Sequence, residues 1–371
     1  SISGSANDRL GMWILTVSKD SICKLLKNDN GMFEGEYFTW SERPIPEGRY
    51  HKVYGPILVY FNRGDTLMAK YEDAKSKLVC EQARWPYAWM EDAHYFERGS
   101  LRGKVEMFDG SSPKGAYVVV NVPGETRGKK DERYVTWNQS NSPYQYWTRA
   151  DENGCWSIDN VHADTYTVTV WKEGYPGEVA KENVVVEKSR NTDVGTLVFR
   201  EYSNGRLAWR VGDADRTWLY DSEKNFGWEL LHYYPIRFPN DVEFKVGESL
   251  PKYDWNYAQI KMDTYRTTPL PFSIVWNMDE IPDGQPVLTV VTCSSRNTSG
   301  YGLKVSVNGS LIKTLDYSAD DSMVMRTHSY GKLIFNPIEF DKALLKTGQN
   351  KITLEINSGE ISSDFIQLEY K

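Results

Sequence analysis

Short apolar runs bounded by turn residues dominate the chain, and most of them alternate inward and outward positions in the manner of half-buried strands. Gly11-Met-Trp-Ile-Leu-Thr-Val and Gly55-Pro-Ile-Leu-Val-Tyr-Phe read as buried strands. One stretch breaks the pattern. Leu67, Tyr71, Ala74 and Leu78 fall on one face of a helix, with Asp65 as its N-cap and Pro86 forbidding continuation past about Arg84. The pattern predicts a helix near 66–84 and strands almost everywhere else.

From about Glu97 the texture is wholly β. Leu101-Arg-Gly-Lys-Val-Glu-Met-Phe leads into the turn Asp109-Gly110, and Ala116-Tyr-Val-Val-Val-Asn-Val, Gly154-Cys-Trp-Ser-Ile, Thr165-Tyr-Thr-Val-Thr-Val-Trp and Val194-Gly-Thr-Leu-Val-Phe follow. Strands of this length with regular turns predict a small antiparallel sandwich. After Arg200 a second set begins, including Phe272-Ser-Ile-Val-Trp, Leu303-Lys-Val-Ser-Val and Phe365-Ile-Gln-Leu-Glu-Tyr, with Asn308-Gly309 as a type I′ hairpin turn. Its length and strand number predict a jelly roll. Three units are therefore expected, at 1–96, 97–200 and 201–371.

Length and composition agree with several packed domains: 371 residues, 40% hydrophobic and 26% charged. No apolar run is long enough for a membrane helix, so no membrane partner is expected. The formal charge of −7 makes broad nucleic-acid binding an unsuitable role. Cys23, Cys80, Cys155 and Cys293 are far apart with no CxxC, which excludes a cysteine-built zinc site; free thiols are the simpler reading and one or two disulfides the other. His51, His94, His162, His232 and His328 form no HxH or HxxxH pair, and no P-loop or GxSxG elbow occurs. Asp213-Ala-Asp215 offers oxygen ligands for a structural calcium, or is a plain polar turn. No catalytic cofactor is expected.

Aromatics are the distinctive feature, at 13% with 13 Trp and 24 Tyr. They cluster as Tyr37-Phe-Thr-Trp40, Trp85-Pro-Tyr-Ala-Trp89, Tyr144-Gln-Tyr-Trp147 and Trp255-Asn-Tyr257. Such rings either pack in a core or stack on sugar faces, with neighbouring acids and amides binding hydroxyls. Taken together they point to carbohydrate. Sequons at Asn138, Asn297 and Asn308 suit a secreted or periplasmic protein.

The order of motifs resembles the rhamnogalacturonan lyases, the family-four polysaccharide lyases. The resemblance lies in Asp8-Arg-Leu-Gly-Met-Trp-Ile-Leu-Thr-Val-Ser, Tyr50-His-Lys-Val-Tyr-Gly-Pro-Ile-Leu-Val-Tyr-Phe-Asn, Ala83-Arg-Trp-Pro-Tyr and Arg98-Gly-Ser-Leu-Arg-Gly-Lys-Val. It continues in Trp209-Arg-Val-Gly-Asp, Gly348-Gln-Asn-Lys-Ile-Thr-Leu and Ser363-Asp-Phe-Ile-Gln-Leu-Glu. The resemblance implies an all-β chain of three serial sandwich units: part of a catalytic β-sandwich, a fibronectin-III-like sandwich, and a jelly roll like carbohydrate-binding modules. It also implies β-elimination at rhamnose–galacturonate links of an acidic plant cell-wall polysaccharide, by a lysine and a histidine without a catalytic metal.

Neither of those two residues carries over. The family lysine belongs to a stretch that would precede Ser1, and the family histidine to a segment for which residues 19–37 show no counterpart. A missing N-terminal segment of the same protein is therefore one expected partner. The nearest pool of acid–base and sugar-binding groups is Tyr37, Trp40, Arg49, His51 and Lys52. Two functional readings follow: a rhamnogalacturonan lyase, as a whole or as a fragment, and a pectic-polysaccharide-binding protein descended from one.

Overall fold

The computed structural model describes residues 2–7, 9–18, 20, 53, 55–122, 124–125, 133–134, 144–216, 241–255, 258–261, 271–296, 302–316, 333–356 and 359–371. Among them the chain is all-β with one long helix. It divides into two compact units, Ser1–Lys172 with Gly177–Arg200, and Glu173–Pro176 with Glu201–Lys371.

The first unit opens with an antiparallel sheet of β1 (Ile2–Ala6), β2 (Gly11–Thr16) and β3 (Ile57–Asn62), in that order. The helix α1 (Leu67–Arg84) packs with it, and Trp13, Leu15, Ala74, Leu78, Trp85 and Tyr95 form their shared core. The helix stops before Pro86, as the sequence requires. Its start and its face differ from expectation. Thr66, not Asp65, is the N-cap, and its hydroxyl accepts from Ala69 N at 3.0 Å. The buried residues are Lys70, Ala74, Leu78 and Glu81, while Leu67 is 62% exposed. Lys70 tolerates burial because its ammonium donates to the Asn7 carbonyl at 2.7 Å, and Glu81 because it accepts from Lys77 and Tyr87. The other face of the sheet carries Met12, Val59 and Phe61, all about half exposed.

A sandwich follows. Its strands are β4 (Arg98–Met107), β5 (Tyr117–Asn121), β6 (Gly124–Glu125), β7 (Arg133–Tyr134), β8 (Gln145–Arg149), β9 (Cys155–His162), β10 (Asp164–Lys172), β11 (Tyr175–Val186) and β12 (Asn191–Phe199). They make a four-stranded sheet β11-β10-β5-β8, a three-stranded sheet β12-β4-β9 and the small ribbon β6-β7. β12 runs parallel to β4, while β10–β5, β5–β8, β4–β9 and β6–β7 are antiparallel. Leu101, Val105, Val118, Val120, Val168 and Val170 are wholly buried at alternate positions, as a two-layer core demands.

The second unit contains β13 (Arg206–Gly212), β14 (Val242–Lys245), the single turn α2 (Pro251–Asp254), β15 (Ala258–Lys261), β16 (Phe272–Met278), β17 (Pro286–Arg296) and β18 (Leu303–Val307). It ends with β19 (Ser310–Leu315), β20 (Ile334–Glu339), β21 (Gly348–Ile356) and β22 (Gly359–Tyr370). One sheet is β13-β22-β17-β20 with β15 beside β22, and the other is β14-β16-β21-β18-β19. One apolar cluster joins both sheets, from Trp209, Leu288, Ile366 and Leu368 to Phe272, Trp276, Leu303 and Ile352. At the β18–β19 turn Asn308 and Gly309 have φ of 47° and 86°, the double positive φ that a type I′ turn requires.

Candidate functional site

Tyr37, Trp40, Arg49, His51 and Lys52 lie outside the described residues. The remaining aromatic runs divide between core and surface. Trp85, Tyr144, Tyr146 and Trp255 are buried and serve the cores, whereas Trp89 and Trp147 are 65% and 51% exposed. Trp89 stacks on Tyr87 with ring centroids 5.4 Å apart. Cys80 and Cys155 are free exposed thiols.

Among the described residues of the first unit, one heavily bonded polar group is buried. Arg98, opening β4, forms a bidentate pair with Asp20 at 2.7 Å on each side and donates through Nε to the Tyr95 carbonyl at 2.6 Å. Its guanidinium lies 4.5 Å from the Trp85 ring centroid. The Tyr146 hydroxyl donates to Asp20 at 2.6 Å and accepts from His162 N at 3.0 Å. Burial alone would ease a proton off Arg98, but the bonds to Asp20 and its charge outweigh that and hold the guanidinium's pKa above its usual value. His162 stacks on Tyr144 at 4.4 Å, and burial, aided by Arg98, holds its imidazole below the usual value. The Arg98–Asp20 pair is closed to solvent and joins residues 78 apart in sequence, so its role is to fasten them.

An open cleft of about 780 Å³ lies on the sandwich. β4 contributes Arg102, Gly103 and Lys104; β8 contributes Thr148 and Arg149; β9 contributes Cys155, Trp156 and Ser157; β12 contributes Asp193 and Thr196. The register explains the gathering. Arg102 lies opposite Ser157 on one side and Asp193 on the other, so these alternate residues leave the same face of the sheet. Between Asp193 and Thr196 the strand bulges, with Gly195 at φ 79° and open space where its Cβ would be.

The charges of the cleft are unevenly matched. Asp193 accepts from Gly195 N at 2.9 Å and from Arg102 at 3.3 Å. Asp151 is spent on its turn, accepting from Asn153 N and Cys155 N, each at 2.8 Å. Lys104 pairs with Glu106 at 2.8 Å. Arg149 alone of the three cations meets no carboxylate among the described residues. Its guanidinium lies 4.3 Å from the Tyr117 ring centroid and donates to the Tyr117 hydroxyl, and Tyr117 stacks in turn on Trp171 at 4.4 Å. Sequence reasoning missed Arg149, although a signal was there. Two positions beyond Trp147, it shares that residue's exposed face on an alternating strand.

In the second unit Asp213 is exposed and Asp215 buried, and no group of three or more His, Cys, Asp or Glu able to hold a metal occurs among the described residues.

Family comparison places these domains. The model for polysaccharide lyase family 4, domain II, matches residues 113–194, and that for domain III of the same family matches residues 207–368. Through these two domains, the chain belongs to polysaccharide lyase family 4. A rhamnogalacturonate lyase of Dickeya dadantii is 29% identical over 336 residues, which cover 87% of this chain and 53% of that protein. Probable rhamnogalacturonate lyase C of Aspergillus oryzae is 28% identical over 56% of this chain and 32% of its own length. Probable rhamnogalacturonate lyase B of Aspergillus niger is 22% identical over 83% and 49%. The chain thus spans about half the length of the Dickeya relative, or less of the fungal ones. The cleft lies partly within the match to domain II: Thr148, Arg149, Trp156 and Asp193 fall inside 113–194, whereas Arg102, Gly103, Lys104, Gly195 and Thr196 fall outside it.

Proposed function

We propose that this chain is part of a rhamnogalacturonan lyase, secreted or periplasmic, that breaks rhamnose–galacturonate links of the pectin backbone by β-elimination. The observation that supports it is the succession of domains II and III of one lyase family along a chain whose curated relatives bear the name rhamnogalacturonate lyase. β-Elimination removes the proton beside the uronate carboxylate, so it needs a base, a cation to steady the charge building on that carboxylate, and a proton for the leaving oxygen. The motifs that carry the resemblance place neither the family's lysine nor its histidine on this chain. The reading therefore assigns the base to polypeptide outside the described residues or outside this chain. Incubation with rhamnogalacturonan I should yield unsaturated uronate, read as a rise in ultraviolet absorbance. If the chain extended to the full length of its relatives produces no such rise, the reading falls.

A second reading is binding without cutting. It is favoured by the distribution of the match, which falls on domains II and III. Heat of binding to pectic oligosaccharides without any absorbance change would select it over the first.

A further inference from the structure

We propose that the cleft on the sandwich is a subsite for the carboxylates of a uronate-containing chain, held by Arg149 and assisted by Arg102 and Lys104. The ligand class rests on the pectic reading above; the anion preference rests on the cleft itself. Residues 97–200 carry 14 basic and 15 acidic side chains, so the unit as a whole has no cationic bias. The cleft gathers three cations against two acids, and both acids are already bonded within the protein.

Arg149 is the decisive group. A guanidinium with no carboxylate partner among the described residues, held by a ring stack two aromatics deep, presents a planar fork that matches a carboxylate. The stack restricts its side chain before any ligand arrives, which lowers the ordering cost of binding. Arg102 and Lys104 are tied by exposed pairs to Asp193 and Glu106, each with about half of its side chain in solvent. Such pairs are weak and exchange readily for a ligand anion. Ser157 and Thr196, opposite those cations in register, set hydroxyls beside them for sugar hydroxyls. Gly195 adds no side chain over the floor, so a pyranose ring can approach the backbone there.

The test uses the full chain and oligosaccharides of rhamnogalacturonan I, in native form and after reduction of every carboxylate to an alcohol. Calorimetry should give native fragments a Kd roughly tenfold lower than reduced ones, and Arg149→Gln should erase that difference. Equal affinity for the two forms, or an unchanged preference in Arg149→Gln, overturns the proposal. Location is read separately by alkylation. Cys155 lines the cleft and Cys80 sits on α1, both exposed. Bound fragments should slow the labelling of Cys155 severalfold and leave that of Cys80 unchanged; equal rates at Cys155 with and without fragment also overturn it. Ultraviolet absorbance, followed in the same samples, keeps the two claims apart. Carboxylate-dependent binding upholds the subsite whether or not product forms, because the lyase reading is decided by the chain extended to its relatives' length, and product formation with indifferent binding upholds the lyase while overturning the subsite.

Discussion

Arg98 shows what a single buried residue does in this molecule. Its side chain is 5% exposed and that of Asp20 is 2% exposed, and two bonds of 2.7 Å join them. Taking two ions out of water is costly, and only a full set of partners offsets it. Here Tyr146, the Tyr95 carbonyl and the Asn160 carbonyl complete that set. Arg98→Met should therefore destabilise the first unit by about 3–5 kcal/mol, because Asp20 is left charged and unpaired in an apolar site. Adding Asp20→Asn should recover part of the loss. Urea unfolding of the single and double variants measures both. A loss under about 1 kcal/mol would mean that water reaches the pair as it reaches a surface ion pair. None of this was legible in the sequence, where Arg98 opens a recognisable motif but nothing marks Asp20 as its partner 78 positions earlier. Pairing at that separation leaves no periodic trace.

Elements were legible where periodicity decides them and obscure where a polar exception does. The strands of both sandwiches, the stop of α1 before Pro86 and the Asn308–Gly309 turn follow from alternation and φ preference. The face of α1 did not, because Lys70 and Glu81 are buried by specific partners that hydropathy cannot register. Strand β22 holds a sharper exception. Across it Val291 pairs with Phe365 and Thr292 with Ser363, so Asp364 is the extra residue of a bulge. The bulge turns its carboxylate to the residues that follow β13, where Oδ1 accepts from Asp215 N at 3.2 Å and Arg216 N at 2.7 Å, while Oδ2 is buried without a hydrogen-bond partner among the described residues. Burial, with Asp215 adding repulsion, pushes its pKa well above the usual carboxylate value, against a smaller pull from Arg216. The folded state thus holds the proton more tightly than the unfolded one. The stability this group contributes is complete below the unfolded pKa, near 3.9, and is lost as pH rises towards the folded value. Asp364→Asn keeps the acceptor and removes the charge. It should raise the thermal midpoint at pH 8 and do so less at pH 5. An equal shift at both pH values, or a fall at pH 8, would contradict the raised pKa.

At the scale of the whole molecule, charge and proposed ligand are at odds, and the conflict has a measurable consequence. The chain carries a formal −7, and residues 201–371, with 18 basic and 23 acidic side chains, account for −5 of it. A pectic backbone is itself a polyanion, so the long-range field opposes encounter while the cleft's cations favour contact at short range. Salt separates the two. The Debye length falls from about 30 Å at 0.01 M to about 8 Å at 0.15 M, which erases repulsion across the molecule before it weakens a guanidinium–carboxylate pair at bonding distance. Association with rhamnogalacturonan I fragments should therefore quicken as salt rises over that range, while dissociation also quickens because the contacts in the cleft are partly exposed. Stopped-flow or biosensor kinetics resolves the two rates. Slower association with added salt would mean that the cationic cleft, not the acidic surface, governs approach.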